Sequence, residues 1–219
     1  MEYNQAFIIV SLVLNTAIAA FMVKSLVSFF TEGGRGNMQV NRFAAFKYFT
    51  VLSNMLMAVT SVVMMIVDII LLASPACTVP YWVLAFKHVG SVAVLVTFTV
   101  VFLMFIPKTG FKFMLEGNSL YLHLISPLFA AISFVLFDPG PAVSYINVLW
   151  GIVPTVLYAV LYYYKVMIKG PERGGWEDFY KFNANDKWYL SAAAIFLISV
   201  GSGALLILGR NVFALGLLA

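Results

Sequence analysis

Only one cysteine, Cys77, occurs among the 219 residues, so neither an intrachain disulfide nor a cysteine metal cluster can form. Histidine is nearly as scarce: there are two, His88 and His123, and neither falls in a His-Glu-x-x-His or Glu-x-x-His pattern. No metal is therefore expected. There is no Gly-x-Ser-x-Gly elbow, no P-loop and no dinucleotide fingerprint, so no cofactor is expected either. Charge is also sparse. Asp, Glu, Lys and Arg make up 10% of the chain, against about 25% in a typical soluble domain. A water-soluble surface cannot be built from so little, and no period of 20–50 residues points to a repeat array.

What remains is apolar: 63% of the residues are hydrophobic, with a mean hydropathy of +0.97. The apolar runs are continuous rather than alternating, which excludes a β-barrel and points to an all-α integral membrane bundle. Six runs reach the length of about 20 residues needed to cross a bilayer. They lie near 6–30, 44–73, 81–106, 118–137, 144–167 and 188–208, within one domain spanning 1–219. MEYNQ has no basic n-region before the first run, so no cleavable signal peptide is expected.

Basic residues alternate between the connections. The first carries Arg35, Arg42 and Lys47, the third Lys108 and Lys112, and the fifth Lys169, Arg173, Lys181 and Lys187; the second and fourth carry none. The positive-inside rule then puts loops one, three and five in the cytoplasm and both termini outside, in a multi-pass protein of the cell membrane. Lys24 reads as a residue snorkelling to the inner face. Trp82, Tyr145, Trp176 and Trp188 read as interface anchors, and Arg210 as the one basic residue on the outer side.

Ionisable residues inside spans are functional hypotheses by default. Asp68 and Lys87 flank the second connection at nine and ten residues from Cys77, which puts them at similar depth in the outer half of a helix hairpin. They are expected to form an ion pair; alternatively they belong, with His88, to a polar pocket or proton path. A Schiff base on Lys87 is disfavoured by six spans instead of seven.

The inner half carries a second group. Thr50, Ser53 and Asn54 are three and four residues apart, which stacks them on one helix face. His123, about five residues into the fourth span, and Ser126, one turn later, enter the same leaflet. A hydroxyl and an imidazole at matched depth are the parts of a nucleophile–base pair, and the Asn54 amide is a candidate oxyanion donor. Against that stand plainer roles: a membrane Thr often bonds its own i−4 carbonyl, here that of Phe46, and a membrane His often holds helices together.

The motifs FKYFTVLSNM (46–55), YLHLISPLFA (121–130), WGIVPTVLY (150–158) and GGWEDFYKFN (174–183) occur in order. As a set they resemble the androgen-induced gene 1 family of multipass membrane threonine hydrolases, in its small bacterial form. The resemblance implies that Thr50 is the nucleophile and His123 the base, acting on fatty acid esters of hydroxy fatty acids drawn from the bilayer. Met57, Phe129 and Phe134 would line the acyl channel. The competing expectation is a transporter, or a ligand-binding or sensor protein, that uses the same polar cavity without chemistry. No nucleic-acid partner is expected.

Overall fold

A computed structural model describes residues 4–31 and 42–218. Arg35, one of the basic residues of the first connection, lies outside the described residues. Six helices are long and apolar enough to cross a membrane: α1 (Gln5–Thr31), α2 (Phe49–Ala73), α3 (Tyr81–Thr109), α4 (Asn118–Phe137), α5 (Asn147–Lys169) and α6 (Trp188–Ala214). No strand occurs among the described residues. The physical reason is that hydrocarbon offers backbone N–H and C=O groups no partner, so each span must satisfy its own.

The breaks fall where the chain loses that ability. Pro80 caps α3, and Gly110, Gly117 and Gly170 adopt positive φ (85°, 62° and 64°) at the ends of α3, α4 and α5. The second span begins later than its apolar run suggests. Arg42–Lys47 forms a separate 3-10 turn, and Tyr48 is extended at φ −95°, ψ 131°, so Thr50 sits in the first turn of α2.

Helix α3 is central and packs on α2, α4, α5 and α6, while α1 packs on α2 and α4. The buried face of α2 runs Thr50, Ser53, Asn54, Met57, Ser61, Met64, Asp68 and Leu71, so the polar stripe points into the bundle. The outer faces carry Val59, Ile66, Leu103, Leu157 and Leu205, all well exposed, as lipid-facing positions should be. Lipid is as apolar as the core, so close approach and interhelical hydrogen bonds must do more of the packing. Gly90 is such a point. A Cβ there would stand 2.5 Å from Thr60 Oγ1 and 3.2 Å from Met57 Cα, so α2 and α3 meet at their closest only because Gly90 has none.

Lys24 behaves as a snorkelling residue, donating to the Tyr121 hydroxyl at 2.8 Å with its Nζ 4.3 Å from that ring's centre. Arg210 differs from expectation. Helix α6 continues past 208, and Arg210 is buried, donating to the carbonyls of Phe134, Asp138, Gly140 and Pro141. It ties α6 to the turn after α4.

Cys77 is exposed in the connection between α2 and α3. If the basic connections face the cytoplasm, an impermeant maleimide added to intact cells should label Cys77. Labelling that appears only after permeabilisation would reverse the orientation.

Candidate functional site

At the end of the bundle that carries the basic connections, the first turn of α2 borders a cavity of about 90 Å³. Thr50 lines it, together with Phe49, Val101, Tyr158, Tyr180 and Ile195. Thr50 is buried but does not bond the Phe46 carbonyl. Instead it lies against the Tyr180 hydroxyl, which accepts the Phe49 N–H at 2.9 Å. The loop between α5 and α6 delivers Tyr180. Asp178 organises that loop by accepting the N–H groups of Phe182 (2.7 Å) and Asn183 (2.9 Å) and the Tyr162 hydroxyl (3.0 Å). Tyr158 closes another side by donating to the Lys47 carbonyl at 2.6 Å. Burial pushes the Tyr180 hydroxyl up to about 12, so it keeps its proton at any physiological pH.

Thr155, Ala159, Phe182 and Ile195 of the Thr50 cavity also line a groove of about 510 Å³ between α5 and α6, whose other walls include the exposed Val160 and Phe196. The apolar surface nearest the Thr50 cavity therefore lies between α5 and α6. It does not include Met57 and Phe134, the expected channel residues, both of which are fully buried in core clusters. Phe129 packs against one of these clusters as well.

Ser53 donates to the Thr50 carbonyl at 3.1 Å and meets Thr97 Oγ1 at 3.0 Å across the α2–α3 contact. Asn54 Nδ2 donates to the carbonyls of Thr50 (2.8 Å) and Leu122 (3.0 Å). Both amide hydrogens are thus engaged, so Asn54 clamps α2 to α4 and has no donor left for an oxyanion.

His123 follows Leu122 in a π-helical turn, Tyr121–Ile125. Pro127, four residues on, has no N–H to give the His123 carbonyl, which favours the wider turn. His123 Nδ1 lies 3.0 Å from the Met114 carbonyl. A carbonyl only accepts, so Nδ1 carries the proton and Nε2 keeps its lone pair, with no hydrogen-bond partner among the described residues. His123 is buried, forms no hydrogen bond with Thr50 and is not among the residues lining the Thr50 cavity. Ser126 is buried one turn beyond it, its backbone N–H on the Tyr121 carbonyl.

The outer group is arranged differently from the sequence expectation. Lys87 forms its ion pair with Asp138 (3.9 Å), not with Asp68, and donates to Asn15 Oδ1 and to Ser61 Oγ (3.0 Å). Asp138 Oδ1 also accepts from Ser133 and from Asn15 at 3.0 Å. The Ser11 hydroxyl stands between the two carboxylates, 2.8 Å from Asp68 Oδ2 and 2.9 Å from Asp138 Oδ1, and gives its one proton to either; Asp68 has no other side-chain partner among the described residues. His88 lies outside this cluster. Its Nε2 meets the Gly203 carbonyl at 3.1 Å, and a Cβ on Gly151 would stand 3.0 Å from its Cε1. The ring is therefore held in a notch cut by two glycines of α5 and α6.

The sequence reading missed Ser11, Asn15, Ser61, Ser133 and Asp138 in the outer cluster, and Tyr158 and Tyr180 at Thr50. One signal was available: Ser11 and Asn15 are four residues apart in an otherwise apolar run, the spacing that already singled out α2. No protein family, curated protein or solved structure matches the chain.

Proposed function

We propose that the protein is a membrane-embedded hydrolase of lipid carboxylic esters, with Thr50 as nucleophile and His123 as general base. The observation that carries this reading is the position of the Thr50 hydroxyl, beside Tyr180 in an apolar cavity that shares lining residues with the α5–α6 groove. An acyl chain entering through that groove would place its ester carbonyl beside Thr50. The ordered motifs that resemble the androgen-induced gene 1 family support the same pair.

In this reading Thr50 Oγ1 attacks the carbonyl carbon while His123 Nε2 takes the hydroxyl proton. The proton passes to the departing alkoxide, and water then releases the acyl group from Thr50. Tyr180 supplies what Asn54 cannot. Its oxygen already accepts the Phe49 N–H, and its own proton, which faces the Thr50 and Tyr158 hydroxyls, would turn to an oxyanion in the cavity. The base role requires Thr50 Oγ1 and His123 Nε2 to come within hydrogen-bond reach during the reaction. Asn54 already joins the two strands of the site, binding the carbonyls of Thr50 and of Leu122, the residue before His123.

One observation favours a second reading: His123 does not line the Thr50 cavity. A carrier or sensor would use that cavity to hold an acyl ligand without cleaving it. Purified protein in nanodiscs, given a fluorogenic long-chain ester, separates the two. The hydrolase reading expects turnover that Thr50→Ala abolishes. Binding of the ester without turnover supports the second reading.

A further inference from the structure

Beside the Thr50 cavity lies a second one, of about 440 Å³ and mostly polar, lined by Lys47, Tyr48, Gly175, Trp176, Glu177 and Phe179. The two share a wall. Lys47 and Tyr48 face the polar cavity and their neighbours Phe49 and Thr50 the apolar one; Phe179 and Tyr180 divide in the same way.

Lys47 lines the polar cavity, and two more lysines, Lys165 and Lys169, stand close to its walls. Lys47 Nζ stands 5.6 Å from the Tyr48 ring centre and 5.9 Å from that of Phe179. Lys165 Nζ stands 6.0 Å from the Trp176 ring centre. Lys169 Nζ is 4.0 Å from where a Gly174 Cβ would be. None of the three has a carboxylate within 4 Å among the described residues, although Glu177 is on the wall and Glu172 and Arg173 are exposed on the adjoining turn.

The floor depends on Gly175. A Cβ there would lie 2.2 Å from the Lys165 carbonyl, which also accepts the Trp176 N–H at 3.0 Å. The loop is thus pressed onto the end of α5, holding Trp176 beside Lys165. Lysines with a tryptophan at a span's end are what an anionic lipid surface attracts.

We propose that this cavity binds the phosphate of an anionic phospholipid, with the ester end of one acyl chain of the same molecule in the Thr50 cavity. The cavity is much larger than a carboxylate needs, and it adjoins the end of α5, where Lys165 stands beside Trp176. A lipid placed this way passes its ester linkage across the shared wall, where Thr50 stands. The proposal rests on the Thr50 cavity being a lipid site, and it narrows the substrate class to glycerophospholipids.

Native mass spectrometry of the full chain in detergent tests it, with phosphatidylglycerol, diacylglycerol of the same chains, oleate and inorganic phosphate as separate probes. Wild type should prefer phosphatidylglycerol to diacylglycerol by roughly tenfold or more, as expected for several lysines near one phosphate. Lys47→Met and Lys165→Met should each cut that preference about fivefold while diacylglycerol binding, the control for folding, is unchanged. Thr50→Ala should keep the preference. Equal binding of the two lipids, or a preference untouched by both lysine variants, overturns the headgroup site alone. Oleate or inorganic phosphate matching phosphatidylglycerol also overturns it, as a carboxylate or free-phosphate site respectively. If diacylglycerol does not bind wild type at all, the Thr50-cavity reading fails as well.

Discussion

Asp138→Asn is expected to destabilise the protein by about 3–5 kcal/mol, because it leaves Lys87 buried without its counter-charge. Lys87 is fully buried, and its other contacts, Asn15 and Ser61, are neutral. Removing one member of a buried pair costs more than replacing both. The double variant Lys87→Met/Asp138→Asn should therefore be more stable than the Asp138→Asn single variant. Asp68→Asn should be far milder, about 1 kcal/mol, because among the described residues Ser11 is the one hydrogen-bond partner of Asp68, and the amide oxygen can accept that proton as the carboxylate does. Denaturant unfolding in micelles gives the stability of wild type and of the three variants. A double-mutant cycle that couples Lys87 to Asp68 more strongly than to Asp138 would refute this arrangement.

Thr50→Ala and His123→Ala should each remove ester hydrolysis, Thr50→Ala completely and His123→Ala by about 10²–10⁴-fold, the range for loss of a general base. The double variant should be scarcely worse than Thr50→Ala, since residues acting as one unit are not additive. Tyr180→Phe should lower kcat more than it raises KM if its hydroxyl stabilises the oxyanion, because that bond strengthens only in the transition state. Stopped-time assays in nanodiscs check the set. Full activity in His123→Ala alongside a dead Thr50→Ala would keep the nucleophile and reassign the base.

The six spans were legible because length and apolarity alone define them; their ends were not, because local backbone geometry sets those. The second apolar run starts near 44, but the extended Tyr48 delays α2 until Phe49. Depth along a span was also legible: Asp68 and Lys87 do lie near the same outer cluster, and Thr50 and Asn54 do share an inward face. Direction around the helix axis was not. Neighbours on a helix point about 100° apart, so Lys87 faces Asn15 and Asp138 while His88 faces Gly203. Which helix lies opposite each face is a tertiary fact, and nothing in the local pattern specifies it. Asp138 was hidden in a turn, DPGPA, whose composition reads only as a break between spans. Tyr180 was hidden in a loop whose aromatic run was recognised, although its return over α2 was not.

The central claim, that Thr50 is a nucleophile, is tested most directly by a long-chain fluorophosphonate. Protein reconstituted in nanodiscs is incubated with the reagent, digested and mapped by mass spectrometry. The account predicts one phosphonyl adduct, on the peptide containing Thr50, absent from Thr50→Ala and slowed in His123→Ala. An adduct on another residue, or ester hydrolysis that persists in Thr50→Ala, would contradict it.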